Sequence, residues 1–380
     1  MKVAFATTFD GRDVSNWSGT PYYMSKGLAD GGLQVEYIGS LSRKVAPFFK
    51  IKQAWKKFAA GQRESPRHNV IAAQHYSRQV AEKLKSIHAD VIISPQINPI
   101  AYLDVKQPLV LWTDALYASL IGFNPAFANH SASSIAQGNI ITAECLSRCA
   151  LAVFSSDWAA RTALEIYGVD KNKVKVVPFG ANLHCTHKLS DIKHMLTLRS
   201  RKTVKLLFLS KRWEMKDGKK VLAVAKALHA CGQAVELHIV GCHPPKNEVL
   251  PSYVKCHGFI SKRTPEGVVQ ITKLLEESHF LFVPSRSEAF GIVFCEANAF
   301  GLPCLTTYIG GISSVVKDNV NGMTFSLNAS PTEYCDYIMR LMATYADYEA
   351  LALSAFNEYE TRLNWQSATV SLRKLINEII

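Results

Sequence analysis

The sequence contains no CxxC pair and no uninterrupted apolar run of the roughly 20 residues that a membrane-spanning helix needs. Its nine cysteines are odd in number and scattered along 380 residues, which argues against a disulfide framework and favours a reducing compartment. The opening residues, MKVAFATTFD, lack the continuous apolar core of a secretory signal. We therefore expect a cytoplasmic protein with no membrane-spanning segment.

Two common binding motifs are also absent. The chain has no DxD sequence and no His or Cys cluster with metal-ligand spacing, so no metal site is expected. It has no GxGxxG fingerprint, and the acidic residue that should end the second predicted strand is represented only by Glu36 within it. These absences argue against metal-dependent chemistry and against a nicotinamide dinucleotide cofactor.

The net charge of +12 is concentrated in one segment, because residues 41–68 carry eight Lys or Arg against a single Glu. If this segment is helical, four apolar residues share one face and four lysines flank it: Phe48, Ile51, Trp55 and Phe58, then Lys50, Lys52, Lys56 and Lys57. Such a helix suits peripheral contact with anionic lipid through residues 43–58, at the inner membrane face. The alternative is a helix that packs its aromatic stripe on its own domain; no nucleic-acid partner is expected.

Short apolar runs alternate with helical stretches, a pattern typical of parallel sheets with helical crossovers. The chain is also too long for one ordinary core. We predict an α/β protein of two doubly wound Rossmann-like domains, with ligands outside the carboxyl ends of the strands in the cleft between them. The predicted boundaries are residues 1–185 for the first domain, 186–199 for a polar linker, 200–363 for the second domain and 364–380 for a helix that packs back on the first.

Three loops at predicted strand ends carry unusual residues. Gly19 precedes a helix in SGTP, where backbone N–H groups meet at a positive helix end and a phosphate would fit; a purely structural turn is the alternative. Three cations, Lys211, Arg212 and Lys216, follow the strand VKLLFLS, as contacts to a diphosphate would require.

The third loop is SRSEAFGIVFCEANAFGLP, residues 285–303, in which seven residues separate two glutamates. We predict Glu288 in the loop and Glu296 on a helix that starts near Gly291. A carboxylate can accept hydrogen bonds from sugar hydroxyls, and the glycine lets backbone amides approach an anion. The alternative makes Glu288 a helix N-terminal charge and Glu296 a solvated residue, which suits the apolar neighbours of Glu296 badly.

These residues resemble a known family. SEAFGIVFCEA matches the E-x7-E element of retaining glycosyltransferases of the GT-B fold, family 4 type, and FGLPCLTTYIGGISSVVKDNVNG is similar to the G-x-P…GG…NG continuation of that element in the family. LLFLSKRWEMKDG, KVKVVPFGAN and SGTPYYMSKGL also correspond, so the resemblance covers nearly the whole chain.

The resemblance implies a role for each candidate site residue. Glu296 would hold the ribose of a nucleotide sugar, Glu288 the transferred sugar, and Lys216 the diphosphate. Lys211 stands where many relatives have Arg, so either Lys211 or Arg212 would supply a second cation. The backbone around Phe290, Gly291, Ile292 and Val293 would meet sugar and phosphate oxygens, and the base-binding loop would contain Gly258 and Phe259.

Asp114, after the strand PLVLWT, would orient the acceptor or a donor hydroxyl, or would simply cap the next helix. The implied activity is metal-independent transfer of a sugar, with retention, from a UDP- or GDP-type nucleotide-diphosphate sugar to a glycan, a lipid-linked acceptor or a small molecule, as in cell-envelope polysaccharide biosynthesis. No other cofactor is implied. A nucleotide-sugar 2-epimerase of the same fold and a non-catalytic sugar-nucleotide binding protein remain as alternatives.

Overall fold

The computed structural model describes residues 1–42 and 68–380, and the chain divides into two compact units. One unit comprises Met1–Phe179 and Trp365–Ile380, and the other comprises Gly180–Asn364. The predicted lipid-contacting segment, residues 43–58, lies outside the described residues. Among the described helices, none is long and apolar enough to cross a membrane.

The first unit contains a six-stranded sheet in which all neighbouring strands are parallel. Its strands are β1 (Lys2–Ala6), β2 (Gln34–Ile38), β3 (Val91–Ser94), β4 (Leu109–Thr113), β5 (Leu151–Phe154) and β6 (Val174–Val176), in the order β2-β1-β3-β4-β5-β6. Its described helices are α1 (Thr20–Asp30), α2 (Val70–Leu84), α3 (Tyr117–Leu120), α4 (Ala132–Arg148) and α5 (Asp157–Glu165).

The second unit repeats this architecture with another parallel six-stranded sheet. After α6 (Leu189–Leu198), its strands are β7 (Thr203–Leu209), β8 (Ala234–Val240), β9 (Val254–Gly258), β10 (Phe280–Val283), β11 (Cys304–Thr307) and β12 (Gly322–Phe325), in the order β12-β11-β10-β7-β8-β9. The other helices are α7 (Gly218–Ala230), α8 (Pro265–Glu277), α9 (Ile292–Asn298), α10 (Pro331–Ala343) and α11 (Tyr345–Thr361), and α12 (Trp365–Asn377) follows in the first unit.

Three of the inner strands, β3, β4 and β10, are buried along their whole length. Parallel sheets with helices on both faces bury both sides of each strand, which explains the continuous apolar runs in the sequence. The predicted fold class of two doubly wound α/β domains is therefore confirmed.

The C-terminal helix α12 packs against α1 within the first unit. The two backbones approach closely at Gly27 of α1, where an added Cβ would lie 2.8 Å from the Cβ of Trp365. The indole of Trp365 in turn packs on Trp112 of β4 and on Phe179. The absence of a side chain at Gly27 thus lets α12 approach α1 at Trp365.

The predicted linker, residues 186–199, contains helix α6 and belongs to the second unit. Within this helix only Ile192 and Leu196 are buried, so the sequence shows little apolar periodicity. The carboxylate of Asp191 caps the start of the helix by accepting the N–H of Lys188 at 2.7 Å. Gly180–Cys185 also belongs to the second unit, where the N–H of Ala181 donates to the carbonyl of Leu363 at 3.1 Å. The division therefore follows Phe179 rather than residue 185.

Candidate functional site

The strand order of the second unit reverses between β7 and β10, which are neighbours in the sheet. The chain proceeds from β7 to β8 and β9 on one side, then crosses to β10, β11 and β12 on the other. At such a switch point the loops leaving the two strands run in opposite directions and open a crevice at the carboxyl ends, where ligands bind in α/β sheets. The loops after β7 and β10 are therefore the expected location of a ligand site in this unit.

These two loops are joined by ionic and backbone contacts. Arg286, after β10, donates its backbone N–H to the carbonyl of Met215 at 2.9 Å and its guanidinium to Asp217 at 3.2 Å. Asp217 has a left-handed conformation with φ of 50° and caps α7, because its carboxylate accepts the N–H of Lys220. The two loops thus hold each other in place through these contacts.

Lys216 and Glu288 meet in this pair of loops. The ammonium of Lys216 donates to the carboxylate of Glu288 and, at 3.0 Å, to the carbonyl of Ser287. Both side chains are largely buried, with 11% of Lys216 and 18% of Glu288 exposed. Glu288 lies before Gly291, the N-cap of α9, and is paired there with Lys216.

Helix α9 begins after Gly291, its N-cap, with φ of 95°. An added Cβ on this glycine would lie 2.4 Å from the ring of Phe294 and 3.3 Å from Cγ of Glu288. The position therefore requires glycine for two reasons, its left-handed backbone and the lack of space. Phe290 is buried, while Ile292 and Val293 are half-buried in the first turn, whose N–H groups have no partners within a helix.

Glu296 lies on α9 and is 3% exposed, so the alternative of a solvated residue is wrong. Burial raises the pKa of this carboxyl, and the ammonium of Lys262 beside it lowers that pKa in opposition. Lys262, in the segment between β9 and α8, donates to the Oε1 atom of Glu296 and lies 3.5 Å from the carbonyl of Asn182. A buried ion pair contributes little net stability, because desolvation offsets the attraction, so we regard it as a functional candidate.

The C-terminal end of α9 is held by a buried arginine. The guanidinium of Arg199 donates to the carbonyls of Phe300 and Gly301 at 2.8 and 2.9 Å, and to the hydroxyl of Tyr348 at 2.8 Å. A cation at a helix C-terminus also opposes the negative end of the helix dipole. The helix that carries Glu296 is thus fixed beyond its last turn.

The remaining residues predicted in this unit lie at the ends of β7 and β9. Gly258 has φ of 65°, and the next residue, Phe259, is 64% exposed, so it is not a core residue. The ammonium of Lys211 lies over the ring of Phe259, 5.0 Å from its centroid, in a cation–π contact. The guanidinium of Arg212 lies 3.8 Å from the sulfur of Met215, so the two cations turn to different neighbours.

Gly19 lies in the first unit, in the segment between β1 and α1. It is the N-cap of α1 with φ of 87°, and it follows Trp17 and Ser18, which are both left-handed with φ of 45° and 55°. Such conformations cost about 1–2 kcal/mol for residues other than glycine. This strained turn stands at the predicted position, beside the switch point between β1 and β3.

Asp114 directly follows β4 in the first unit and is half-buried. The next helix, α3, begins at Tyr117, and its N-cap is Leu116, which makes no side-chain capping bond. Asp114 therefore does not occupy the capping position that was the structural alternative.

Three residues of the site were not predicted from the sequence: Lys262, Arg286 and Asp217. Lys262 is separated from Glu296 by 33 residues, and no local pattern links the two. Arg286 lies in the segment 285–303 that carries both glutamates, which we call the glutamate loop. Its position near the end of a strand could have marked it as a site residue. Across residues 1–42 and 68–380, no group of three His, Cys, Asp or Glu side chains is arranged to hold a metal ion.

Comparison with known proteins gives three kinds of similarity. Residues 195–357 match the family model of glycosyl transferases group 1, which spans every candidate residue of the second unit. The D-inositol 3-phosphate glycosyltransferase of Corynebacterium jeikeium is 24% identical over 325 residues, which are 80% of this chain and 74% of that protein. Matches to other curated relatives span 31%, 56% and 55% of those proteins' lengths.

Several solved structures align over the whole of this chain. Sucrose-phosphate synthase from Thermosynechococcus elongatus aligns with a TM-score of 0.71 at 14% identity and is covered over 99% of its length. HepE of Anabaena, solved in complex with UDP-glucose, aligns with a TM-score of 0.60 at 16% identity and is covered over 100% of its length. At these identities the likeness establishes the fold, two Rossmann-like α/β domains in the GT-B architecture.

Proposed function

We propose that this protein is a retaining, metal-independent glycosyltransferase of the family 4 type, which moves a sugar from a nucleotide-diphosphate sugar to a glycan, lipid-linked or small-molecule acceptor. The observation that carries the proposal is the ion pair between Lys216 and Glu288 at the switch point of the second sheet. The match of residues 195–357 to the glycosyl transferases group 1 model supports it. The complex of HepE with UDP-glucose supports a UDP-type donor.

The ion pair has a direct consequence for donor binding. The ammonium of Lys216 is bonded to Glu288 and to the carbonyl of Ser287. A diphosphate carries more negative charge than one carboxylate, so it attracts Lys216 away from Glu288. The released carboxylate can then accept hydrogen bonds from hydroxyls of the transferred sugar. Binding of the diphosphate thereby prepares recognition of the sugar.

The same cation serves the chemical step. When the bond between the anomeric carbon and the diphosphate breaks, negative charge grows on the leaving phosphate. Lys216, a second cation from Lys211 or Arg212, and N–H groups around Gly291 stabilise that charge more in the transition state than in the ground state. With retention, the acceptor approaches on the same face, and the departing phosphate takes the acceptor proton.

The other candidate residues bind the remaining parts of the donor and the acceptor. Glu296 receives the ribose hydroxyls, Gly258 and Phe259 receive the base, and the turn at Gly19 receives a phosphate. Asp114 orients the acceptor or a donor hydroxyl. The basic, aromatic segment at 43–58 favours an acceptor at an anionic membrane surface.

The test is a thermal-shift screen with UDP-glucose, UDP-galactose, UDP-N-acetylglucosamine and GDP-mannose, because a ligand that binds only the folded state raises the melting temperature. The stabilising donor is then used in a transfer assay with glycan and lipid extracts. We expect Glu288→Gln to keep nucleotide binding and to lower transfer about tenfold or more. We expect Lys216→Ala to weaken the binding of both the nucleotide and the donor.

The matched control is Lys226→Ala, which removes an exposed ion pair with Glu248 at 3.1 Å in the same unit. It should leave binding and transfer unchanged. If no nucleotide sugar stabilises the protein, or if Glu288→Gln and Lys216→Ala transfer sugar like the wild type, the proposal is wrong. Conversion of the donor to its 2-epimer without an acceptor would indicate the epimerase alternative instead.

A further inference from the structure

The carboxylate of Glu296 is buried, yet the proposed function requires it to be ionised. Only 4% of its side chain is exposed, and helix α9 buries Phe294, Cys295, Ala297 and Asn298 around it. An ionised carboxylate in such surroundings loses its hydration and tends to take up a proton. A protonated acid donates one hydrogen bond, whereas two vicinal ribose hydroxyls that both donate need a carboxylate that only accepts.

Lys262 is placed to solve that problem. Its ammonium contacts Oε1 of Glu296, and 29% of the Lys262 side chain is exposed, whereas the acid is almost fully buried. The carbonyl of Asn182, 3.5 Å away, gives the ammonium a second anchor in the same unit. Lys262 therefore reaches from the segment after β9, which also carries Phe259, to the helix that carries Glu296.

The other titratable groups around α9 do not replace this cation. Burial raises the pKa values of the Cys295 thiol and the Tyr359 phenol, so both stay neutral near pH 7. Arg362 is engaged by Glu358 and by the carbonyls of Ser314 and Val315 at 2.7 and 3.0 Å. Lys317 lies 3.3 Å from Glu358 as well. The positive charge that bonds Glu296 comes from Lys262.

We propose that Lys262 is a positioning residue for the nucleoside part of the donor: it keeps the Glu296 carboxylate ionised and fixed, so that this acid can accept hydrogen bonds from vicinal ribose hydroxyls. The inference rests on the proposed function, because it takes the ribose to be the partner of Glu296. It adds a residue that the family resemblance did not supply, and it makes nucleotide affinity depend on an ion pair between segments remote in sequence.

The test compares the pH dependence of two properties in Lys262→Met. Without the ammonium, the pKa of Glu296 rises further, because burial is then no longer opposed by a neighbouring positive charge. UDP and GDP affinity, measured by isothermal titration calorimetry from pH 5.5 to 8.5, should therefore begin to fall at a higher pH than in the wild type. Below its midpoint, affinity should fall about tenfold per pH unit.

The stability of Lys262→Met should change with the opposite sign. An acid whose pKa is raised in the folded state binds its proton more tightly there than in the unfolded chain, so stability increases as the pH falls. The melting temperature of Lys262→Met relative to the wild type should thus recover toward pH 5.5, while nucleotide binding weakens. A residue that only supports the fold would not produce opposite trends.

Four variants complete the design, one of them a double variant. Lys262→Arg keeps a cation and should restore the wild-type pH profile. Glu296→Gln should bind nucleotide weakly at every pH, and its binding should show only the titration of the nucleotide itself. The double variant, Glu296→Gln with Lys262→Met, should be more stable at pH 8 than Lys262→Met alone, because the unpaired buried charge is removed. The matched control is Lys255→Met, which breaks an ion pair at 3.2 Å between Lys255 of β9 and Glu236 of β8. This variant should bind nucleotide like the wild type.

The outcomes separate this inference from the proposed function. If neither UDP nor GDP binds the wild type, the proposed function fails. If the wild type binds but Lys262→Met has the same pH profile, or loses affinity equally at all pH values, Lys262 does not act through the charge of Glu296 and the inference is overturned. If the double variant is as unstable as Lys262→Met at pH 8, the inference is also overturned.

Discussion

Replacement of Gly291 by alanine tests the geometry of the glutamate loop, because two separate costs can be worked out from the structure. The left-handed backbone, with φ of 95°, costs about 1–2 kcal/mol for a residue with a Cβ. The new Cβ would also lie 2.4 Å from the ring of Phe294, which is fully buried and cannot move without repacking. Such overpacking costs about 1–3 kcal/mol. The expected loss of stability is therefore about 2–5 kcal/mol.

A matched glycine isolates the steric part of that loss. Gly232 is exposed and left-handed, with φ of 81°, and an added Cβ there would have no atom within 4 Å. Gly232→Ala should therefore cost only the backbone strain, about 1–2 kcal/mol. Both variants lie in the second unit, so unfolding can be compared with one probe in urea or guanidinium titrations.

The functional readout depends on the same geometry. In Gly291→Ala the new Cβ lies 3.3 Å from Cγ of Glu288, so relief of the clash moves this carboxylate or the start of α9. We expect weaker binding of the nucleotide sugar by Gly291→Ala and unchanged binding by Gly232→Ala. Equal stability losses in the two variants, or a Gly291→Ala protein that binds the donor like the wild type, would refute the reasoning.

Two further predictions concern pH and the membrane. Burial lowers the pKa of His279 from 6.5 to about 4, and its neutral ring accepts the N–H of Lys205 at 3.0 Å and donates to the carbonyl of Ser200 at 2.7 Å. The unfolded chain takes up the proton first, so stability should fall by on the order of 3 kcal/mol as the pH drops from 6.5 to about 4; His279→Gln should flatten this slope in melting curves, and an unchanged slope contradicts the assignment. With vesicles that contain anionic lipid, the wild type should float, and a variant with four lysines replaced by Glu should not: Lys50, Lys52, Lys56 and Lys57. Equal flotation of the two proteins contradicts the proposed membrane contact.

The fold was accessible from the sequence because its determinants are local. Apolar runs such as VIIS and LVLW become strands that are buried throughout, and parallel sheets covered on both faces demand that pattern. The start of α9 after Gly291 was likewise visible, since glycine is among the residues favoured at a helix N-cap. The helix within the polar segment 186–199 was not visible from the sequence, because a helix with only two buried residues has almost no apolar periodicity.

The sequence by itself determined the two α/β domains and the two acids and three cations at strand ends, because strand length, apolar runs and loop composition are properties of neighbouring residues. Only the tertiary structure decided which charges meet. It pairs Lys216 with Glu288 and Lys262 with Glu296, across 72 and 34 positions of the chain. Such pairings depend on strand order and burial, since the strength of a charge contact is set by distance and local dielectric rather than by separation along the chain.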